Sequence, residues 1–297
     1  MNEHILDWYQ WHFRPQDVRR PEWFDSWPEG ARIAVTVKLM HEWESVPRPA
    51  GRRGMPSDSR FTQDYRALCR REYGFKAGVW RLMDVLDKHG VKATVMASGL
   101  SAELWPDSLR ELKTRGHEIA SHGWDQAIHP PKFESRDQER EALLKSIASI
   151  ENTTGERPYG YMSQGPRPTD NTLEIVAEAG FVWNGDYQDS DIPYVMHVNG
   201  KKVVSVGYVR PTFTDNDIEP YGLVAGLQEL KGEFDAVYEE SAIHPMKFVY
   251  AVHSHVSGRP GMAKLLDNFL QYAAGHDGVW FCRCIDMANY WLDNEGH

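Results

Sequence analysis

The sequence predicts an α/β protein: a distorted (β/α) barrel of about seven strands, in a single domain preceded by an aromatic N-terminal arm. Three observations point there. Short β-type apolar runs alternate with helix-periodic stretches through most of the chain, the pattern of βαβ units around a parallel sheet. Several of those runs end on ionisable residues, and α/β folds place their chemistry at strand ends. The chain has 297 residues, 41% of them hydrophobic, enough for a substantial core, and it shows no internal repeat or linker. An open doubly wound sheet is the competing architecture.

The elements follow in order. Residues 1–31 form the arm, with Trp8, Tyr9, Trp11, Phe13, Trp23, Phe24 and Trp27 broken up by prolines. That is too apolar for a disordered tail, so the arm is expected to pack on the body or on a neighbouring subunit. The domain proper, 32–297, opens with a strand from Arg32 to Leu39. Residues 43–74 lack periodicity and contain Pro47, Pro49, Gly51, Gly54 and Pro56, which reads as a long loop of functional type. Its arginines, among them Arg48, Arg52, Arg53, Arg60, Arg66, Arg70 and Arg71, suggest a lid that draws in anions or a solvated surface. A helix is expected over 75–88, with Val79, Leu82, Met83 and Leu86 on one face. Strand 92–96, helix 102–114 and a strand ending at His122 come next. Helix 136–153, strand 159–162 and helix 169–179 follow, the last stopped by Gly180. Strands at 181–183, 202–206 and 248–252, helix 261–274, strand 279–281 and helix 285–292 complete the chain.

Composition narrows the function. The net charge of −10 argues against nucleic-acid binding, and no apolar run approaches the ~20 residues of a membrane span. Three cysteines and no basic-then-apolar leader fit reduced thiols in the cytoplasm. A small-molecule substrate and a homo-oligomeric state are expected. No phosphate-cradling loop, nucleophile elbow or paired-cysteine metal site is present.

The candidate site comes from the strand ends. Glu42 follows the first strand, between His41 and Trp43, and is the candidate general base. Burial raises a carboxylate's pKa and nearby cations lower it, so the environment decides its strength. His122 stops its strand before Gly123-Trp124, and His253 ends the 248–252 run. Glu42, His122 and His253 are therefore assigned as catalytic. Trp124, Arg167, Trp183 and His255 are assigned to substrate binding: Trp124 as a ring wall, Arg167 as a carboxylate clamp, Trp183 at the end of the 181–183 strand, and His255 by sharing a face with His253.

These pieces resemble the polysaccharide deacetylase superfamily, the group sharing the NodB-homology domain. The matching segments are Gly90-Val91-Lys92-Ala93-Thr94-Val95, Gly116-His117-Glu118-Ile119-Ala120-Ser121-His122-Gly123, Arg157-Pro158-Tyr159-Gly160, His253 through Gly258-Arg259-Pro260, and Gly278-Val279-Trp280-Phe281 leading to Ala288-Asn289-Tyr290-Trp291. In order, they span about 32–292. The resemblance implies a distorted barrel and hydrolysis of a non-peptide C–N bond. Metal-dependent members carry two adjacent aspartates after the first strand, where this chain has Met40-His41-Glu42-Trp43-Glu44. They carry a second histidine four residues after the first, where this chain has Gln126. Ser-His-Gly-Trp resembles the allantoinase and cyclic-imide hydrolase branch, which implies small cyclic amides and no metal. No cofactor is favoured. A divalent metal such as zinc would have to use Glu42, His122 and His253. Two alternatives stand beside this reading: a metal-dependent deacetylase of an N-acetylated sugar or peptidoglycan, and a catalytically inactive carbohydrate- or metabolite-binding module.

Overall fold

The computed structural model describes residues 13–15, 18–45, 65–208 and 214–295. Among the described residues its centre is one sheet of nine strands, most of them buried, with β9 half-buried and β6 and β7 partly exposed. The strands are β1 (Ile33–His41), β2 (Thr94–Ala97), β3 (Glu118–Ser121), β4 (Gly160–Tyr161), β5 (Trp183–Asn184), β6 (Tyr194–Val198), β7 (Lys201–Ser205), β8 (Met246–His253) and β9 (Val279–Phe281). Their spatial order is β6-β7-β5-β4-β3-β2-β1-β8, with β9 on β1. Only β6 runs antiparallel to its neighbour; the other pairs are parallel.

β1 is the hub. All nine of its residues are buried, as a central parallel strand requires. It pairs with β8 along its length, with β2 over Lys38–His41, and with β9 over Ile33–Val35. The far edges approach one another, since Lys247 of β8 donates its backbone N–H to the Asp191 carbonyl ahead of β6, and Thr214 bridges to Ala251. The sheet is thus a curled, nearly closed barrel.

The helices are α1 (Tyr65–Tyr73), a π-helical segment (Gly74–Gly78), α2 (Val79–Lys88), α3 (Gly99–Leu104), α4 (Pro106–Thr114), α5 (Arg136–Thr154), α6 (Thr172–Glu178), α7 (Asp215–Ile218), α8 (Gly222–Glu240), α9 (Pro260–Ala274) and α10 (Cys284–Asn294). α5 has its boundaries written in sequence: the Ser135 hydroxyl accepts from the Gln138 N–H, and Gly155 closes it at φ 74°.

Four features differ from the sequence reading. Residues 65–73 of the expected loop are helical, while 46–64, with Arg48, Arg52, Arg53 and Arg60, lie outside the described residues. The expected helix 102–114 is two helices, because Pro106 has no N–H to continue the first. β6 adds a hairpin with β7 through Asn199-Gly200, at φ 49° and 78°. α8 is a nineteen-residue helix where no element was expected.

The described part of the arm packs on its own body. Phe24 and Trp27 are buried, Phe24 edge-on to Trp291 of α10 and Trp27 tilted against it, and the Trp27 indole N–H donates to the Met246 carbonyl at 2.8 Å. The Tyr290 hydroxyl donates to the Ser26 carbonyl. Trp8, Tyr9 and Trp11 lie outside the described residues.

Candidate active site

Strand register brings the site together. His41, Ala97, Ser121, Tyr161, Asn184 and Ser205 form one row across six parallel strands. One residue further along, Glu42 and His122 leave their strands at the same level. Met40 is level with His253 on β8. Side chains alternate along a strand, so Glu42 shares the face of Met40, Lys38 and Thr36, and His122 that of Ala120 and Glu118.

The three expected catalytic residues meet. His122 Nε2 lies 3.6 Å from Glu42 Oε2, and His253 Nε2 lies 3.8 Å from Glu42 Oε1. Glu42 is 4% exposed, which rules out a solvated loop acid. Both imidazoles are fixed from behind. His122 Nδ1 is 2.8 Å from the Met162 carbonyl, which can only accept, so that nitrogen carries the proton and Nε2 faces Glu42 with a lone pair. His253 Nδ1 is 2.6 Å from Asp215 Oδ1.

Asp215 was not read from the sequence. It opens α7 and is fully buried. Its carboxylate also accepts from the backbone N–H groups of His253 and Ser257 and from the Ser257 hydroxyl. The Thr-Asp-Asn-Asp run at 214–217 was the available signal, but only tertiary contact assigns one of its acids to His253.

The environments separate the two histidines. Burial holds His122 below the ordinary imidazole value despite the opposing pull of Glu42. Burial also presses on His253, but Asp215 and then Glu42 outweigh it and raise it above that value. Burial pushes Glu42 upward; Arg71 first, then His253 and His122, overcome this and bring it down to about 2. Arg71 is the second residue that the sequence reading did not place. It projects from α1, its Nη1 is 2.7 Å from Glu42 Oε1, and its Nη2 pairs with Glu44.

The binding assignments divide. His255 stays beside the site, its ring edge-on to His253 at 5.6 Å, and burial and Arg71 hold it well below the usual imidazole range. Trp183 needs correction as a substrate contact. It is completely buried inside the barrel over Gly160, and its indole N–H donates to Glu118 Oε1 at 2.7 Å. Trp124 is also displaced from the assigned role: its ring packs by Gly99 and beneath Lys145 of α5, in the outer wall. Arg167 is exposed, and its backbone N–H donates to the Ser163 hydroxyl. Trp43, Phe75 and Trp105 pack on one another next to His41, whose ring faces Ser101 and Ser108.

A divalent metal does not suit this donor set as arranged. A metal on Glu42 Oε1 and His253 Nε2 would sit about 2.0–2.2 Å from each, pressed against the guanidinium that already holds that oxygen. Among the described residues no group of three or more His, Cys, Asp or Glu side chains is arranged to hold a metal ion.

A curled, mainly parallel sheet with a carboxylate and two oriented imidazoles at its strand ends holds the groups that acid–base chemistry uses. Comparison with known proteins agrees. Residues 71–183 match the family model described as polysaccharide deacetylase. A probable polysaccharide deacetylase from Pseudomonas aeruginosa superposes with a TM-score of 0.82, at 29% identity, covering 95% of this chain and 99% of that one. The Puue allantoinase structure superposes with a TM-score of 0.81, at 28% identity, covering 95% and 99%. A peptidoglycan deacetylase from Helicobacter pylori is 24% identical over 260 residues, 76% of this chain and 87% of that protein. The match to the polysaccharide deacetylase model thus covers the part of the chain that holds β2, β3 and β4, and the structural neighbours include both polysaccharide deacetylases and the Puue allantoinase.

Proposed function

We propose that this protein hydrolyses a non-peptide C–N bond in a small amide, cyclic imide or ureide. The observation that carries the reading is the convergence of two oriented imidazole Nε2 atoms on the two oxygens of one buried carboxylate. Gaps of 3.6 and 3.8 Å exceed direct hydrogen bonds and suit a bridging water. Such a water donates one hydrogen to Glu42 and the other to His122 Nε2, leaving a lone pair for the carbonyl carbon. A carboxylate held at about 2 is a weak base, so Glu42 fixes the water and shares the departing proton with His122. His253, kept protonated by Asp215, delivers a proton to the leaving nitrogen as the C–N bond breaks. Separated environments for two like groups are how a site obtains a base and an acid together.

The domain match and the neighbours support hydrolysis of C–N bonds outside peptides; the Ser-His-Gly-Trp segment and the Puue likeness favour cyclic amides and ureides over sugars. The metal-dependent sugar deacetylase is disfavoured by Arg71 at Glu42. The test is a screen of purified protein against cyclic imides, ureides and N-acetyl sugars, with and without chelator. Turnover of a cyclic imide or ureide that survives chelation, and that falls roughly 10²–10⁴-fold in Glu42→Gln, is expected. Turnover only of N-acetyl sugars, or loss on chelation with recovery on adding zinc, would reject the reading. Binding with no turnover would indicate the inactive module.

A further inference from the structure

We propose that Arg71 is the resident cation of this site: its guanidinium holds the position at Glu42 and Glu44 that a divalent ion would need, and so excludes that ion. The inference rests on the site geometry above but not on which substrate is hydrolysed.

The two histidines are oriented as metal-ligating histidines are, although among the described residues their side chains and those of the acids are not gathered into a metal cluster. Each histidine presents Nε2 to the centre and has its Nδ1 held by an oxygen behind it, Met162 O for His122 and Asp215 for His253. That is the usual outer-shell arrangement of metal-ligating histidines. Two acids, Glu42 and Glu44, lie on one side of the cluster, and a buried carboxylate requires a nearby positive charge. Arg71 supplies it with two N–H groups in a fork, one to each acid. Its side chain is 13% exposed, so this is not a surface pair.

Arg71 is also held in place by its helix. The neighbouring Arg70 pairs with Glu219, which Arg259 binds as well. The π-helical segment that follows α1 lies directly against the turn after β8. A Cβ on Gly78 would come within 2.0 Å of the Ser254 carbonyl oxygen, and one on Gly258 within 2.3 Å of the Gly78 Cα. The helix carrying Arg71 is therefore locked to the strand end carrying His253. Gln126, an amide in the position where related metal sites use an imidazole, leaves its buried Oε1 without a hydrogen-bond partner among the described residues. That position thus offers an amide oxygen, a weaker donor than an imidazole nitrogen, and the cation is a side chain.

The experiment is zinc titration by calorimetry, with metal analysis of the dialysed protein, on the wild type, Arg71→Met and Arg71→Lys. Wild type and Arg71→Lys should show no stoichiometric zinc. Arg71→Met should bind one zinc roughly 10²–10³-fold tighter than wild type, because a unit positive charge at contact distance has gone. Adding Glu42→Gln to Arg71→Met should abolish that gain. Circular dichroism and thermal melts report whether each variant is folded. If Arg71→Met does not fold, Arg71→Gln, which keeps a donor without charge, carries the same expectation. Stoichiometric zinc on the folded wild type, or no gain of zinc in a folded charge-removed variant, overturns the proposal. Because binding rather than turnover is read, a failed substrate screen leaves this result interpretable.

Discussion

His253 and Asp215 show how a single contact sets chemistry. A lone histidine at a strand end titrates near its ordinary value; one bonded to a buried carboxylate is stabilised as the cation. If His122 must be neutral and His253 protonated, kcat/KM should follow a bell in pH. The acid limb belongs to His122, below the ordinary imidazole value, and the alkaline limb to His253, above it. Asp215→Asn removes the charge that raises His253, so its alkaline limb should move to lower pH, with kcat reduced by ~10²-fold or more. A purely structural Asp215 would lower the melting temperature and leave the limb in place. His41 makes a different prediction. It is fully buried, its ring nitrogens contact the Ser101 and Ser108 hydroxyls at 3.0 and 2.8 Å, and burial brings it down to about 4. Its folded pKa lies below its unfolded one, so the unfolded chain binds more protons between pH 4 and 6.5. Its contribution is intact above pH 6.5 and is lost as pH falls through that window, by roughly 3 kcal/mol. Urea unfolding at a series of pH values should show this slope, and His41→Gln should flatten it.

At the scale of elements, the π-helical segment joins the site's two halves. π-helical turns are rare and cluster at functional positions. Here the segment lets one continuous helical run, α1 to α2, pass the turn after β8 at backbone contact while aiming Arg71 at Glu42. Gly78→Ala should therefore destabilise the protein by about 1–3 kcal/mol or more, since the clash is with backbone. It should also lower kcat by displacing Arg71. Gly232→Ala is the contrast: that glycine is exposed in α8 with nothing within 4 Å of a built Cβ, and the change should add about 0.5–1 kcal/mol. Thermal melts of the two variants should move in opposite directions. The sheet has its own fastener in Glu118. It accepts from the Thr94 hydroxyl, the Trp183 indole and the Ile285 backbone N–H, tying β2, β3 and β5 to the first turn of α10. That is why Trp183, which sequence position placed with substrate, is structural.

For the whole molecule, the described part of the arm is structural. Phe24 and Trp27 belong to the same buried cluster as Ile33 and Trp291, so this stretch completes the barrel floor. Truncating a buried Phe or Trp costs about 3–5 kcal/mol. A chain lacking residues 1–28 should melt well below the intact protein and aggregate, whatever its oligomeric state. Light scattering on the intact protein separates the two roles: a homo-oligomer whose arm mutants at Trp8, Tyr9 and Trp11 dissociate without melting would place those residues between subunits. A monomer would leave the arm with its floor role alone. Among the described residues no helix is long and apolar enough to cross a membrane.

What the sequence determined by itself was local or periodic. The alternation of strand and helix, the strand ends at Glu42, His122 and His253, and the stops at Gly155 and Gly180 all follow from hydrophobic period and backbone preference. Parallel strands put their C-terminal ends on one rim, so convergence of those three residues was implied by the fold class itself. α8 escaped because it buries only Gly226, Leu230 and Phe234, while Leu223 and Val224 face outward and blur the pattern. Asp215 and Arg71 escaped for a deeper reason. Nothing within a few residues of either one distinguishes it from its acidic or basic neighbours. Asp215 reaches His253 across 38 positions and Arg71 reaches Glu42 across 29, and only folding brings such pairs within bonding distance. The same holds for the strength of Glu42: burial and Arg71 act in opposite directions, and which prevails depends on distances that the chain acquires only when folded.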